Sequence, residues 1–253
     1  MATPGLSPRW SVEVVDEIGS TNDELLGRLA HGRASDGDVL VARHQVAGRG
    51  RLDRSWASPP GRNLLMSIVI DRPAVDPALA TRALGVASLL AARAIVDDPS
   101  EIELKWPNDL LRGGHKLSGV LAQLTGDGIV VAGIGVNVTW APPEGAALAP
   151  DVDAAAGDRV DDLVGRVRDR ILTSLGEFLD APSPATTVDE AYRANLGTIG
   201  RRVRVELADR SPLIGDAVDV DQGRLVVAVD GERHRVDVGD VVHLRSLDPG
   251  DTG

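Results

Sequence analysis

Residues 64–70 read Leu-Leu-Met-Ser-Ile-Val-Ile, and a run so nearly continuous in apolar side chains leaves few folds open. It has the length of a strand, and its lack of polar alternation predicts that both faces are covered. The next segment of the chain supplies a cover. From Pro77 to Asp98, residues Leu79, Ala83, Val86, Leu90 and Ala94 recur at helical spacing, predicting a long amphipathic helix that ends near Asp97-Asp98-Pro99. Three strand-like runs then succeed one another, Glu101 to Trp106, Lys116 to Gln123 and Gly128 to Val138, across turn signals at Gly113-Gly114 and Gly126-Asp127-Gly128. Links that short favour antiparallel pairing. The prediction is an α+β domain, a mixed sheet flanked by helices, with the helices on one side.

The flanking sequence fits this frame. Residues 1–9 read as a loose lead-in and Trp10 to Val15 as a strand. A helix then opens at Ser20-Thr21-Asn22-Asp23-Glu24, where a hydroxyl cap and an acid three positions on make a capping box. Leu25, Leu26 and Leu29 form its buried stripe, and Gly32 is its stop. Asp38 to Ala42 reads as a strand, and residues 141–159 as a flexible loop. Val164, Val167, Ile171, Leu175 and Phe178 mark another amphipathic helix, and Thr187 with Glu190 caps a short last one running to about Asn195. At Gly197 the texture changes to five short alternating runs, 202–207, 213–220, 224–229, 233–238 and 241–244, separated by Asp- and Gly-containing turns. That pattern predicts a small β-barrel. The expected division is a catalytic domain over 1–196 and a C-terminal barrel domain over 197–253.

Composition narrows the chemistry. With no cysteine among 253 residues, disulfides, thiolate metal sites and a cysteine nucleophile are excluded. The five histidines (31, 44, 115, 234 and 243) show no zinc-ligand spacing, so no protein metal site is expected. A net charge of −11 argues against a general nucleic-acid binder. No signal segment or membrane-length apolar run is present, and the expected location is the cytoplasm, with no membrane and no DNA as partner.

Against this acidic background, Arg43 to Ser58 (RHQVAGRGRLDRSWAS) stands out. Arginine holds carboxylates and phosphates with a fixed fork of donors, and glycine lets a backbone approach a ligand closely. A solvated basic turn explains the same residues equally well. Three further stretches look positional: Ser20 to Asn22, Lys105 to Lys116 and Gly133 to Asn137. Ser20 and Thr21 can be simple caps, Asn108-Asp109 a turn pair, and Lys116 a surface lysine. Gly133 and Gly135 interrupt an apolar strand, which suggests a ligand or backbone passing close by. Asn137 offers donors and an acceptor for an adenine edge. Neither G-x-x-x-x-G-K-[ST] nor G-x-G-x-x-G occurs, so phosphate handling rests on the arginine loop and Lys116.

Taken in order, Ser20-Thr21-Asn22, Gln45, Ala47-Gly48-Arg49-Gly50-Arg51, Lys105-Trp106-Pro107-Asn108-Asp109, Lys116-Leu117-Ser118-Gly119 and Gly133 to Asn137 resemble the biotin–protein ligases (biotin–[acetyl-CoA-carboxylase] ligases) over about residues 16 to 245. The resemblance implies a class-II-synthetase-like catalytic domain and a small C-terminal barrel of Src-homology-3 type. It implies activation of biotin by ATP with Mg2+ to biotinyl-5′-AMP, then transfer to a lysine of a biotin carboxyl carrier domain of an acyl-CoA carboxylase. Ser20, Thr21, Asn22, Gln45, Gly119 and Gly133 would line the biotin site. Arg49, Gly50 and Arg51 would close over biotin and its adenylate, with Lys116 at the carboxylate and α-phosphate. Arg49, Arg51 and Lys116 would be catalytic, while Arg54, Trp56, Asn108 and Asn137 would join them at the nucleotide. Val46, Asp53 and Gln123 depart from the family, standing where threonine, glycine and glutamate are frequent. Too few residues precede the first strand for a DNA-binding helix-turn-helix, so a monofunctional enzyme, monomeric or weakly dimeric, is expected.

Overall fold

The computed structural model describes residues 9–52, 54–153, 155–207, 210–237 and 240–243. Asp53, the lead-in over 1–8 and the end of the last expected strand lie outside them. Seven strands form the large sheet: β1 (Ser11–Ile18), β2 (Asp38–Gln45), β3 (Leu64–Ile70), β4 (Ile102–Lys105), β5 (Asp109–Arg112), β6 (His115–Leu124) and β7 (Val130–Val136). Their order is β1-β2-β3-β7-β6-β5-β4, with β1 and β2 parallel and every other pair antiparallel, so the sheet is mixed. As expected of its composition, β3 is buried at every position.

Four helices cover the sheet: α1 (Thr21–Ala30), α2 (Pro77–Arg93), α3 (Gly157–Leu179) and α4 (Pro184–Ala194). They do not lie on one side. Side chains alternate along a strand, and the two faces separate cleanly. Val39, Val41, Met66, Ile68, Val130 and Ala132 join the main core, to which α2, α3 and α4 contribute Leu84, Leu172 and Val188. Leu40, Val69 and Val131 face the other way and pack with Leu25 of α1. A strand without polar alternation needs cover on both faces, and the leucine stripe of α1 provides the second.

Three other expectations change. Strand β5 went unpredicted because four residues between two turns carry too little pattern. It pairs with β4 and with β6, where Gly113 and Gly114 turn the chain at φ +56° and +81°. Helix α2 stops at Arg93, five residues before Asp98, its C-terminal carbonyls already met by Ala94. The loop expected over 141–159 is held at residues 146–148. Ala146 N donates to Lys116 O at 2.9 Å, Leu148 N to Asn137 O at 3.0 Å, and Arg112 Nη1 to Ala147 O at 2.8 Å; α3 already begins at Gly157. Backbone pairing of this kind leaves no trace in composition.

A second sheet lies beyond α4, of five antiparallel strands: β8 (Arg202–Leu207), β9 (Arg210–Asp221), β10 (Arg224–Val229), β11 (Glu232–Val236) and β12 (Asp240–His243), in the order β11-β10-β9-β8-β12. Arg210 and Ser211, expected in a turn, belong to β9. The turn between β9 and β10 packs against the large sheet. The buried Trp106 donates from Nε1 to Gly223 O at 2.8 Å, and Tyr192 Oη donates to Pro107 O at 3.1 Å. Burial pushes the Tyr192 phenol well above its ordinary pKa, so it stays a donor. Trp106→Phe leaves the Gly223 carbonyl without its partner, and we expect a loss of about 1–3 kcal/mol, read by urea denaturation.

Candidate active site

The strand registers decide where polar groups gather. Ser67, Gly133 and Leu121 are mutual partners across β3, β7 and β6, and Gly135, Gly119 and Asp109 line up across β7, β6 and β5. Both rows share the face of α1. Above them lies a cavity of about 410 Å³. The residues given a role at the site above line it, Ser20, Thr21, Asn22 and Gln45 at one end, Arg49, Gly50, Arg51, Arg54 and Trp56 along one wall, and Asn108, Lys116, Gly119, Gly133 and Asn137 around the remainder, whereas Gly48, Lys105, Trp106, Pro107 and Gln123 of the quoted motifs do not.

One end is built of uncharged hydrogen-bonding groups. Ser20 caps α1, its Oγ accepting from Asp23 N at 3.4 Å. Gln45 Oε1 accepts from Thr21 N at 2.7 Å and from Thr21 Oγ1 at 2.9 Å. Asn22 Nδ2 donates to Leu121 O at 3.1 Å and to Gln123 Oε1 at 2.8 Å. The Leu121 carbonyl, which can only accept, thus fixes the orientation of the Asn22 amide, and Gln123 supports it.

The glycines of β7 serve side chains, not a passing backbone. A Cβ on Gly133 would sit 2.1 Å from Asn22 Oδ1, and one on Gly135 would sit 2.4 Å from the Trp56 ring. Each glycine is the space its neighbour occupies.

The other end is cationic. Residues 48–56 fold back on themselves, with Trp56 N donating to Gly48 O at 2.9 Å and Arg49 bridged to Ser55. Arg51 Nη1 donates to Asn108 Oδ1 at 3.0 Å, and Asn108 Nδ2 to Val120 O at 2.8 Å, so Asn108 ties the loop to β6. Arg49 is 60% exposed and reaches Asp23 only at 3.4 Å, which leaves its guanidinium available to an anion. Lys116 Nζ pairs with Asp109 Oδ1 at 2.7 Å and lies 5.7 Å from the centre of the Trp56 ring. The ammonium is therefore oriented from two sides while remaining 41% exposed.

Asn137, just past the end of β7, is differently engaged from what its place at the strand end suggested. Its Nδ2 donates to Lys116 O at 3.3 Å and Ala146 O at 3.1 Å, and its Oδ1 accepts from Asn63 Nδ2 at 3.3 Å. The amide anchors the segment that brings Trp140, Pro142 and Glu144 into the wall. Sequence reading missed those three, as nothing local marks them. It also missed Ser67, whose signal was available: a hydroxyl alone in an apolar strand.

Among the described residues no group of three or more His, Cys, Asp or Glu could hold a metal ion. The site can thus position an uncharged ring at one end, an acid beside Lys116, and phosphates along the arginines.

The model of the biotin/lipoate A/B protein ligase family matches residues 14–139. The biotin–[acetyl-CoA-carboxylase] ligase of Mycobacterium tuberculosis is 40% identical over 95% of this chain and 92% of its own length. That of Paracoccus denitrificans is 37% identical over 72% of each. The solved structure of the biotin protein ligase from Aquifex aeolicus in complex with biotin and ATP superposes with a TM-score of 0.72 at 26% identity, covering 93% of this chain and 99% of that one.

Proposed function

Because the chain belongs to the biotin/lipoate A/B protein ligase family, and within it to the biotin–protein ligases, we propose how its own residues divide the work of activating biotin with ATP and passing it to an acceptor protein. Thr21, Asn22 and Gln45 hold the biotin ring at the uncharged end, with Ser20, Gly119 and Gly133 shaping the walls. The valeryl carboxylate runs toward Lys116. Arg49, Arg51 and Arg54 take the phosphates, and Gly50 lets the loop approach them. Trp56 and the wall anchored by Asn137 receive the nucleoside, where Asn137 Oδ1 keeps a second lone pair for an exocyclic amine.

A carboxylate does not acylate an amine directly, since its leaving group would be oxide. A carboxylate oxygen of biotin therefore attacks the α-phosphorus of ATP. The new P–O bond forms as the bond to the bridging oxygen breaks, and pyrophosphate departs. The protein's part is to hold the reactants in line and neutralise charge, which Lys116, Arg49 and Arg51 do. Magnesium would be held chiefly by the phosphates that Arg49, Arg51 and Arg54 receive, and would supply further charge neutralisation there. Packing of the 48–56 hairpin over the product keeps water from a reactive mixed anhydride. The lysine amine of the carrier then attacks the biotinyl carbonyl, AMP leaves with the bonding pair, and the amine gives up its proton. The nucleophile belongs to the partner, which accounts for a site without serine, cysteine or histidine machinery.

The acceptor in this reading is a biotin carboxyl carrier domain of an acyl-CoA carboxylase, and the setting is the cytoplasm. We further read residues 1–196 as the catalytic domain and 197–253 as a barrel of Src-homology-3 type, in a protein that is monomeric or weakly dimeric and does not bind DNA. The observation that carries the reading is the meeting of an uncharged amide end and a cationic end in one cavity, from stretches scattered between residues 20 and 137. The test is incorporation of labelled biotin into a purified carrier domain with ATP. Transfer that depends on ATP and on the carrier lysine is expected; folded protein giving none would sink the assignment.

A further inference from the structure

The chain leaves β7 at Val136 and enters a segment whose tip reaches the cavity while both of its stems are pinned from outside it. Trp140, Pro142, Glu144 and Gly145 of the tip line the cavity. The tip is curled on itself, with Gly145 N donating to Pro142 O at 2.8 Å. A Cβ on Gly145 would lie 3.1 Å from both Lys116 O and Pro142 Cδ, so the curl sits tight against β6.

Two arginines hold the stems, and neither lines the cavity. On the incoming stem Arg62 spends its fork on one residue, Nε donating to Thr139 Oγ1 at 2.7 Å and Nη2 to Thr139 O at 2.7 Å. Thr139 answers with two bonds of its own to Arg62 O, from its N at 3.1 Å and its Oγ1 at 3.0 Å. The hydroxyl therefore accepts one hydrogen bond and gives another, and Thr139 is only 3% exposed. Beside it, Asn63 Oδ1 accepts from Val138 N at 2.9 Å. On the outgoing stem Arg112 Nη1 donates to Ala147 O at 2.8 Å and to Leu148 O at 2.9 Å, while its Nε donates to Glu101 Oε2 at 3.0 Å. Hydrogen bonds from a charged donor are the stronger kind, and a planar fork loses little freedom in making two at once. Trp140 follows Thr139 directly, so the clasp on Thr139 sets the direction from which the indole enters the wall.

We propose that Arg62 and Arg112 are positioning residues for the nucleotide. Acting from outside the cavity, through Thr139 and the carbonyls of residues 147 and 148, they hold the wall that carries Trp140 ready for the adenosine half of ATP. A wall ordered before the ligand arrives spares binding the entropy of ordering it. The uncharged end is independent of both arginines: Thr21, Asn22 and Gln45 are held by one another, by Ser67 and by the Leu121 carbonyl.

This role rests on reading the cavity as a site for biotin and ATP, and the two fail differently. Arg62→Ala and Arg112→Ala are each expected to weaken a non-hydrolysable ATP analogue about tenfold by calorimetry, the loss of two hydrogen bonds from a charged donor. The KM for ATP in pyrophosphate release should rise by a similar factor, with kcat at saturating ATP and the affinity for biotin unchanged. Arg62→Lys keeps the charge without the fork and should recover only part of the loss; it carries the same comparison if Arg62→Ala does not fold. Thr139→Val removes the hydroxyl that Arg62 clasps, so Arg62→Ala and Thr139→Val together should cost less than the product of their separate effects. Analogue affinity unchanged in either alanine variant would remove that arginine from the role. Equal losses for biotin and the analogue would reduce the arginines to general supports of the fold, and a full product of losses would break the path through Thr139. Wild-type protein that binds no ATP analogue would instead overturn the reading of the site.

Discussion

Lys116→Ala is expected to slow pyrophosphate release from biotin and ATP by about 10²–10³-fold, the usual cost of removing one oriented charge from a developing anionic centre. The ammonium is held between Asp109 at 2.7 Å and the Trp56 ring at 5.7 Å, so it is placed before substrate arrives and loses little entropy in use. No other lysine lines the cavity. The Lys116 side chain is 41% exposed, so the fold should survive, with a modest loss of stability because the Asp109 Oδ1 it leaves behind is buried. Pyrophosphate release measured well below the variant's own melting temperature separates the two effects. Full activity in the variant would remove Lys116 from the chemistry.

Gly133→Ala should abolish biotin binding, with affinity falling by more than about 100-fold, the loss of two or more buried hydrogen bonds. The added carbon would lie 2.1 Å from Asn22 Oδ1 and 2.9 Å from Asn22 Cγ, so the side chain must leave its place. In leaving it gives up Leu121 O, Gln123 Oε1 and Ser67 Oγ together. Gly135→Ala is the matched control, two residues along the same strand. There the added carbon meets the Trp56 indole, so nucleotide binding should suffer while biotin binding is spared. Calorimetry with biotin and with a non-hydrolysable ATP analogue on both variants gives the comparison. Equal effects of the two substitutions on both ligands would mean that the strand, not its two neighbours, had been disturbed.

Much of this architecture could be read from residue pattern. The uninterrupted run at 64–70, the helical spacing after Pro77 and the cap at Ser20 each report local physics: burial of a surface, the period of a helix, the unmet N–H groups of its first turn. The ordered motifs also named the residues that meet in the cavity. What could not be read was which side of the sheet each helix takes, the four-residue strand β5, and the anchoring of 141–156.

Those features depend on partners remote along the chain. Ser67 lies 46 residues from Thr21, and Asn22 lies 101 from Gln123. A residue's own type states how many protons it can give or take, and in that sense Ser67, Thr21, Asn22 and Gln45 carried their hydrogen-bonding capacities in the primary structure. Which of those groups meet is a property of the strand registers and of the helix laid across them. The order of residues named the groups and their local elements. Folding alone set Ser67 within 2.6 Å of both Thr21 and Asn22, because only packing brings groups so distant along the chain within reach of one another.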